Sequence, residues 1–163
     1  MFMTAVCLCV YPFVECGKAP ETVTNICNED VLAMLEISKI DLYLPVYHGT
    51  EEEVLQKGIG HIPGSDLPVG GAGMHSLLAG HRGLPNAILF NRLNELKIGD
   101  EFTIYINQAQ HVYEVCKISI IMPDDTAGLK RTEGKDYISL ITCTPFGINT
   151  HRLVVTGERK ENE

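Results

Sequence analysis

The chain has 163 residues, 45% apolar and 21% charged, which is enough to bury one core and excludes a disordered polymer. Asp and Glu total 21 against 13 Lys and Arg, a formal charge of -8, so the phosphate backbone is the wrong partner and no nucleic acid is expected. Residues 1–14 are almost wholly apolar and uncharged. They fall about four residues short of the roughly 18 that argue a membrane span, and with no leading Lys or Arg and no small-residue cleavage site they make a poor secretory signal.

In chain order, residues 15–30 are polar, carry Gly17 and Pro20, and read as a connecting segment. A strand-rich body starts near Val31. Residues 35–47 are rich in Ile, Leu, Val and Tyr and predict two short strands, with Pro45 confining part of them to a sheet edge. Thr50-Glu51-Glu52-Glu53 has the form of a capping box, predicting a short helix stopped at Gly58. The six glycines and two prolines of residues 58–73 predict a long shaped loop. A buried strand is expected over 74–79 and a helix over 85–96, with Leu89, Leu93 and Leu96 on one face. Alternating Phe102, Ile104 and Ile106 predict a strand, as do 112–122, 137–142 and 153–156. The sum is mostly β: an antiparallel-dominated barrel or sandwich with short helices, without internal repeats.

Cys7, Cys9, Cys16 and Cys27 crowd the start, while Cys116 and Cys143 stand apart. No CxxC pair or Cys/His spacing suits zinc, so neither metal nor other cofactor is expected. An even cysteine count invites a disulfide framework, but that reading suits short secreted chains without a core.

Cys143 ends an apolar strand, and Pro145 and Gly147 force a turn before Arg152 opens the next. The two are expected to be neighbours across a hairpin. Strand 74–79 leads into Gly80-His81-Arg82-Gly83, whose glycines are expected to let the backbone approach a substrate and expose the imidazole. A nearby cation favours a thiolate, an imidazole exchanges a proton with an amine, and a guanidinium stays charged while its fixed donors suit an oxyanion. Spacing alone leaves Arg82 and His151 open as rivals to their neighbours.

These segments carry a resemblance. Thr-Gly-His is the usual signature around the sortase histidine, and Ala79-Gly80-His81-Arg82-Gly83-Leu84-Pro85 resembles its pilin-specific, class C version. Residues 141–153, Ile-Thr-Cys-Thr-Pro-Phe-Gly-Ile-Asn-Thr-His-Arg-Leu, resemble that class's cysteine and arginine segment. Leu35-Glu36-Ile37-Ser38-Lys39-Ile40, Leu44-Pro45-Val46-Tyr47-His48-Gly49-Thr50, Gly58-Ile59-Gly60-His61 and Pro123-Asp124-Asp125-Thr126 extend the similarity over about residues 31–157.

The resemblance implies an eight-stranded sortase-type β-barrel and a cysteine transpeptidase with His81, Cys143 and Arg152 on catalytic positions. Thr142 is expected either to orient the substrate or simply to be a β-branched strand residue. Such enzymes cleave an LPxTG-like sorting signal between Thr and Gly, hold the Thr as a thioester and pass it to an amine. For class C the amine is a pilin lysine, so the implied partners are pilins or surface proteins bearing the signal. A housekeeping sortase, with a cell-wall precursor amine as acceptor, and an inactive signal-binding module are the alternatives. A papain-like protease is excluded, because no Cys-Gly-Ser-Cys-Trp segment and no Trp exist.

The same likeness divides the chain into a lid-like segment (1–30), a catalytic domain (31–159) and a polar tail (160–163). It implies a monomer at the extracellular face of a Gram-positive plasma membrane, although the membrane anchor usual in the family is not recognisable here. In the lid motif, Asp-Pro-aromatic in class C, this chain has Tyr11-Pro12-Phe13. Tyr11 replaces the acid that would face Arg152, which implies a weaker closed state.

Overall fold

A computed structural model describes residues 31–84 and 88–161. Eight strands run β1 (Val31–Ile37), β2 (Leu42–His48), β3 (Ile59–His61), β4 (Met74–Ala79), β5 (Glu101–Ile106), β6 (Ala109–Ile121), β7 (Asp136–Thr144) and β8 (His151–Arg159). They close into a barrel in the order β1-β2-β3-β4-β7-β8-β6-β5, with β5 pairing back to β1. Closure leaves no sheet edge, and the expected eight-stranded, mostly β fold is what forms. Two pairs are parallel, β2–β3 and β4–β7; the others are antiparallel.

Side-chain alternation decides which residues fill the barrel. Ala33, Leu35 and Ile37 of β1 and Phe102, Ile104 and Ile106 of β5 point inward and join Val46, Ile59, Leu78, Leu140 and Val155 in one core. Phe102 stacks on Tyr113 with centroids 5.5 Å apart, and β8 passes this stack at Gly157.

Three local expectations are corrected. Residues 58–73 are not one loop: Ile59–His61 form β3, parallel to β2. A Cβ on Gly58 would lie 2.5 Å from the Pro45 carbonyl oxygen, and one on Gly60 would lie 2.4 Å from that of Gly49. These glycines serve close strand approach, which composition reads as loop. Thr50 caps no helix: α1 (Glu52–Leu55) has Glu51 at its N-cap and no side-chain cap bond. In the expected helix over 85–96, the described part holds only a 3-10 turn at Leu93–Glu95. Leu89, Phe90, Leu93 and Leu96 are all buried, and the Phe90 amide bonds the His81 carbonyl at 3.0 Å. This segment plugs the barrel end, so its apolar residues need no helical period.

The outer faces of β4 and β7 are also covered, which explains five successive buried residues in β7. His75, 4% exposed, spans Lys130 O (Nδ1, 3.0 Å) and Ser139 Oγ (Nε2, 2.8 Å), and Ser139 continues to Thr156 Oγ1 at 2.7 Å. Asp66 accepts from the His75 amide at 2.8 Å and pairs with the Arg131 guanidinium. Burial pushes the Asp66 carboxyl up, but the His75 amide and Arg131 outweigh it and hold the group below its ordinary value.

At Gly157 a Cβ would lie 2.5 Å from Phe102 Cε1 and 3.0 Å from Tyr113 Cβ. Gly157→Ala is therefore expected to destabilise the barrel by about 1–3 kcal/mol through overpacking. Urea denaturation reads this as a lowered midpoint at unchanged slope; an unmoved midpoint would mean that the ring stack yields freely.

Candidate active site

Three neighbouring strands, β4, β7 and β8, place the candidate residues. Leu78, Ile138, Leu140, Leu153 and Val155 belong to the core, so alternate residues face outward. On β7 these are Ser139, Ile141 and Cys143; on β8 they are Thr156, Val154 and Arg152. Cys143 stands directly opposite Arg152 in the antiparallel register, as the hairpin reading expects. On β4, Leu77 and Ala79 face outward, with Ala79 level with Ile141 in the parallel ladder. The Gly80 amide bonds the Ile141 carbonyl at 3.0 Å, so His81 follows β4 at the end that lies level with the Cys143 end of β7. Cys143 and Arg152 thus share the outer face of β7 and β8, and His81 follows the adjacent strand at the same end.

Gly80 does a different job from the one its sequence suggests. A Cβ there would come within 2.7 Å of Phe90 Cδ2 and 2.8 Å of Ile59 Cδ1, so the missing side chain admits inward packing, not a substrate. Its carbonyl accepts a hydrogen bond from the Thr142 hydroxyl at 2.7 Å, and Thr142 is 2% exposed. The inward-facing Thr142 therefore ties the strand before Cys143 to the strand before His81.

His81 Nε2 lies 3.1 Å from Glu52 Oε2, with side chains 27% and 63% exposed respectively. Glu52 also accepts from Gln56 at 3.1 Å, and hydrogen bonds from Gln56 and then His81 hold its carboxyl below the usual range. In the sequence Glu52 is only an acid at a helix start; 29 residues separate it from His81, and no local pattern joins them. Arg152 Nη1 donates to Asn149 O at 3.1 Å and His151 O at 3.0 Å. His151 Nδ1 meets Thr150 Oγ1 at 2.8 Å, while Arg82 reaches Thr144 and Asn94. Burial pushes up the thiol of Cys116, which contacts the Thr156 carbonyl. Tyr11, Pro12 and Phe13 lie outside the described residues. Among the described residues no three His, Cys, Asp or Glu side chains gather as a metal site.

An outward thiol opposite a guanidinium, with an imidazole following the neighbouring strand at the same end of an eight-stranded barrel, is an arrangement that can support cysteine-nucleophile chemistry. Residues 35–160 match the sortase domain model, and the chain belongs to the sortase family. Solved structures similar to it include sortase C-1 from Actinomyces oris, 46% identical with a TM-score of 0.80 over 82% of this chain and 76% of that one. Sortase C1 from Streptococcus agalactiae is 48% identical with a TM-score of 0.81, over 85% and 72% of the two chains. Sortase D of Bacillus subtilis is 33% identical over 77% of this chain and 62% of its own length. The chain thus spans about three fifths of such curated relatives, sortase A of Bacillus anthracis (60%) among them.

Thr142→Val keeps the shape but strands the Gly80 carbonyl without its buried donor. A loss of about 1–3 kcal/mol is expected, read by chemical denaturation, with the fold retained. An unchanged midpoint would show that this bond carries no weight.

Proposed function

We propose that this chain is the catalytic domain, residues 31–159, of a class C sortase that joins proteins carrying an LPxTG-like signal to a pilin lysine. The observation that carries the reading is the placement of Cys143 directly opposite Arg152 on β7 and β8, with His81 following the adjacent β4 at the same end. The likeness to sortase C structures supports the class and, with it, a pilin lysine as acceptor.

In this mechanism the Cys143 thiolate attacks the carbonyl carbon of the signal's Thr, forming the C–S bond. Arg152 donates to the oxyanion, and the C–N bond to Gly breaks as His81 gives that amine its proton. An incoming lysine amine then attacks the thioester carbon, surrenders a proton to His81 and releases the thiolate. Glu52 orients the imidazole, and Thr142 acts indirectly by holding Gly80. A cavity of about 560 Å³ lined by Ser65, Asp66, His75, Leu77 and Leu129 opens farther along the outer face of β4 and offers room for part of an extended signal. The enzyme works at the outer face of a Gram-positive plasma membrane; no helix among the described residues is long and apolar enough to cross it.

Mass spectrometry after incubation with an LPxTG-type peptide tests the reading. A hydroxylamine-labile adduct mapped to Cys143 is expected in the wild type, and none in Cys143→Ala; an unreactive wild type beside a reactive sortase control would sink it. His81→Ala is expected to stop turnover without unfolding the protein, and retained turnover would transfer the role to His151.

Glu52→Ala is expected to slow acylation roughly 3- to 10-fold while leaving the thermal midpoint almost unmoved, because an exposed ion pair adds little stability. Stopped turnover assays and a melting curve separate those two effects. An unchanged acylation rate would reduce Glu52 to a surface contact.

A further inference from the structure

Arg82 directly follows His81, and its guanidinium crosses to the chain that directly follows Cys143. Nη1 donates to Thr144 Oγ1 at 3.3 Å, Nη2 donates to Asn94 Oδ1 at 2.9 Å, and Cζ sits 5.8 Å from the Phe146 ring centroid. Nε is buried, with no acceptor among the described residues. The plane of the guanidinium is thus fixed from two sides at the expense of one donor. A flexible ammonium could not reproduce this, because it lacks the planar fork and its stacking face.

The same contact is completed from below by Gly83. Its φ of +90° favours glycine, and a Cβ would come within 2.9 Å of Phe146 Cε2. The Gly83 amide is itself held by Asn91 Oδ1 at 2.6 Å. Although 61% exposed, Phe146 therefore has its ring seated against Arg82 and Gly83. A surface ion pair would explain none of this: the partners are a hydroxyl, an amide oxygen and a ring.

The placement has a simple logic along the two strands. Thr142 bonds Gly80, one residue before Cys143 and one before His81. Arg82 bonds Thr144, one residue after each. The thiol and the imidazole are bracketed by two cross-strand hydrogen bonds, an inner one made by a hydroxyl and an outer one made by a guanidinium.

We propose that Arg82 is a positioning residue of this site, holding the β7–β8 loop through Thr144 and Phe146 so that His81 and Cys143 keep their reacting distance. The inference rests on His81 and Cys143 being the acid–base and nucleophile proposed above. A small misplacement of two reacting groups costs rate without costing ground-state affinity, so the effect belongs in kcat.

The test compares wild type with Arg82→Lys, Arg82→Gln and Thr144→Val on an LPxTG-type peptide. Alkylation of Cys143 by iodoacetamide, mapped by peptide mass, and melting curves run in parallel. Arg82→Lys is expected to lower kcat about 10-fold or more, with KM and the alkylation rate within about 2-fold of wild type. Thr144→Val is expected to lower kcat by itself and to add little in the Arg82→Lys background, because both remove one interaction. A kcat kept by Arg82→Lys and Arg82→Gln overturns the proposal. So does a kcat loss matched by lost alkylation or lost folded protein, or a change confined to KM, which would make Arg82 a substrate contact. Should Arg82→Lys fail to fold, Thr144→Val decides alone: a normal kcat overturns the proposal and a lowered one at normal stability supports it. A wild type that forms no acyl-enzyme removes the transpeptidase reading and this inference with it; a wild type that acylates while the variants keep its kcat removes only the role of Arg82.

Discussion

The parallel pairing of β4 with β7 is the constraint on which the site depends. Antiparallel neighbours such as β7 and β8 meet through a short turn, and their register follows from the loop between them. Nothing local brings β4 to β7, since 62 residues separate Ala79 from its partner Ile141 and the intervening chain builds β5 and β6. Once Met74 lies opposite Asp136 and Ala79 opposite Ile141, His81 is brought to the Cys143 end of β7. A slip of one residue would turn the imidazole to the opposite face, because side chains alternate at every step.

Several contacts outside the barrel guard that register. The His75–Ser139–Thr156 chain of hydrogen bonds links β4, β7 and β8 on their outer face, some distance from the thiol. Lys130 and Arg131, in the connection before β7, bind His75 and Asp66, so the chain entering β7 is held against the chain entering β4. At the other end, Thr142 and Arg82 join the chain on either side of Cys143 to the chain on either side of His81. Buried polar links of this kind specify one arrangement, because a shifted register would leave several of their donors and acceptors unpaired. The functional face is thus fastened at both ends, while the greasy interior supplies the bulk of the driving force.

Much of this was legible in the order of residues. The alternation of Phe102, Ile104 and Ile106, the apolar run leading to Cys143 and the turn before Arg152 each carry a local period or punctuation that survives in the structure. Other parts were hidden for identifiable reasons. β3 is only Ile-Gly-His, and its glycines answer to the Pro45 and Gly49 carbonyls, which are not sequence neighbours. Leu89, Leu93 and Leu96 mimic a helical stripe while plugging a barrel end. Glu52 read as a helix-start acid because its partner, His81, arrives through tertiary folding.

By itself, then, the amino-acid sequence determined most of the strands, the family likeness and the candidate thiol, imidazole and guanidinium, since these rest on residue type, short-range period and motif. Only the tertiary structure decided that the chain before His81 pairs with the chain before Cys143, that Thr142 turns inward to Gly80, that Glu52 faces the imidazole and that Arg82 spans to Thr144. The physical reason is common to all four. Each depends on the closure of β4 against β7 or on α1 packing near the mouth of the barrel, and those contacts join residues whose separation along the chain carries no periodic signal.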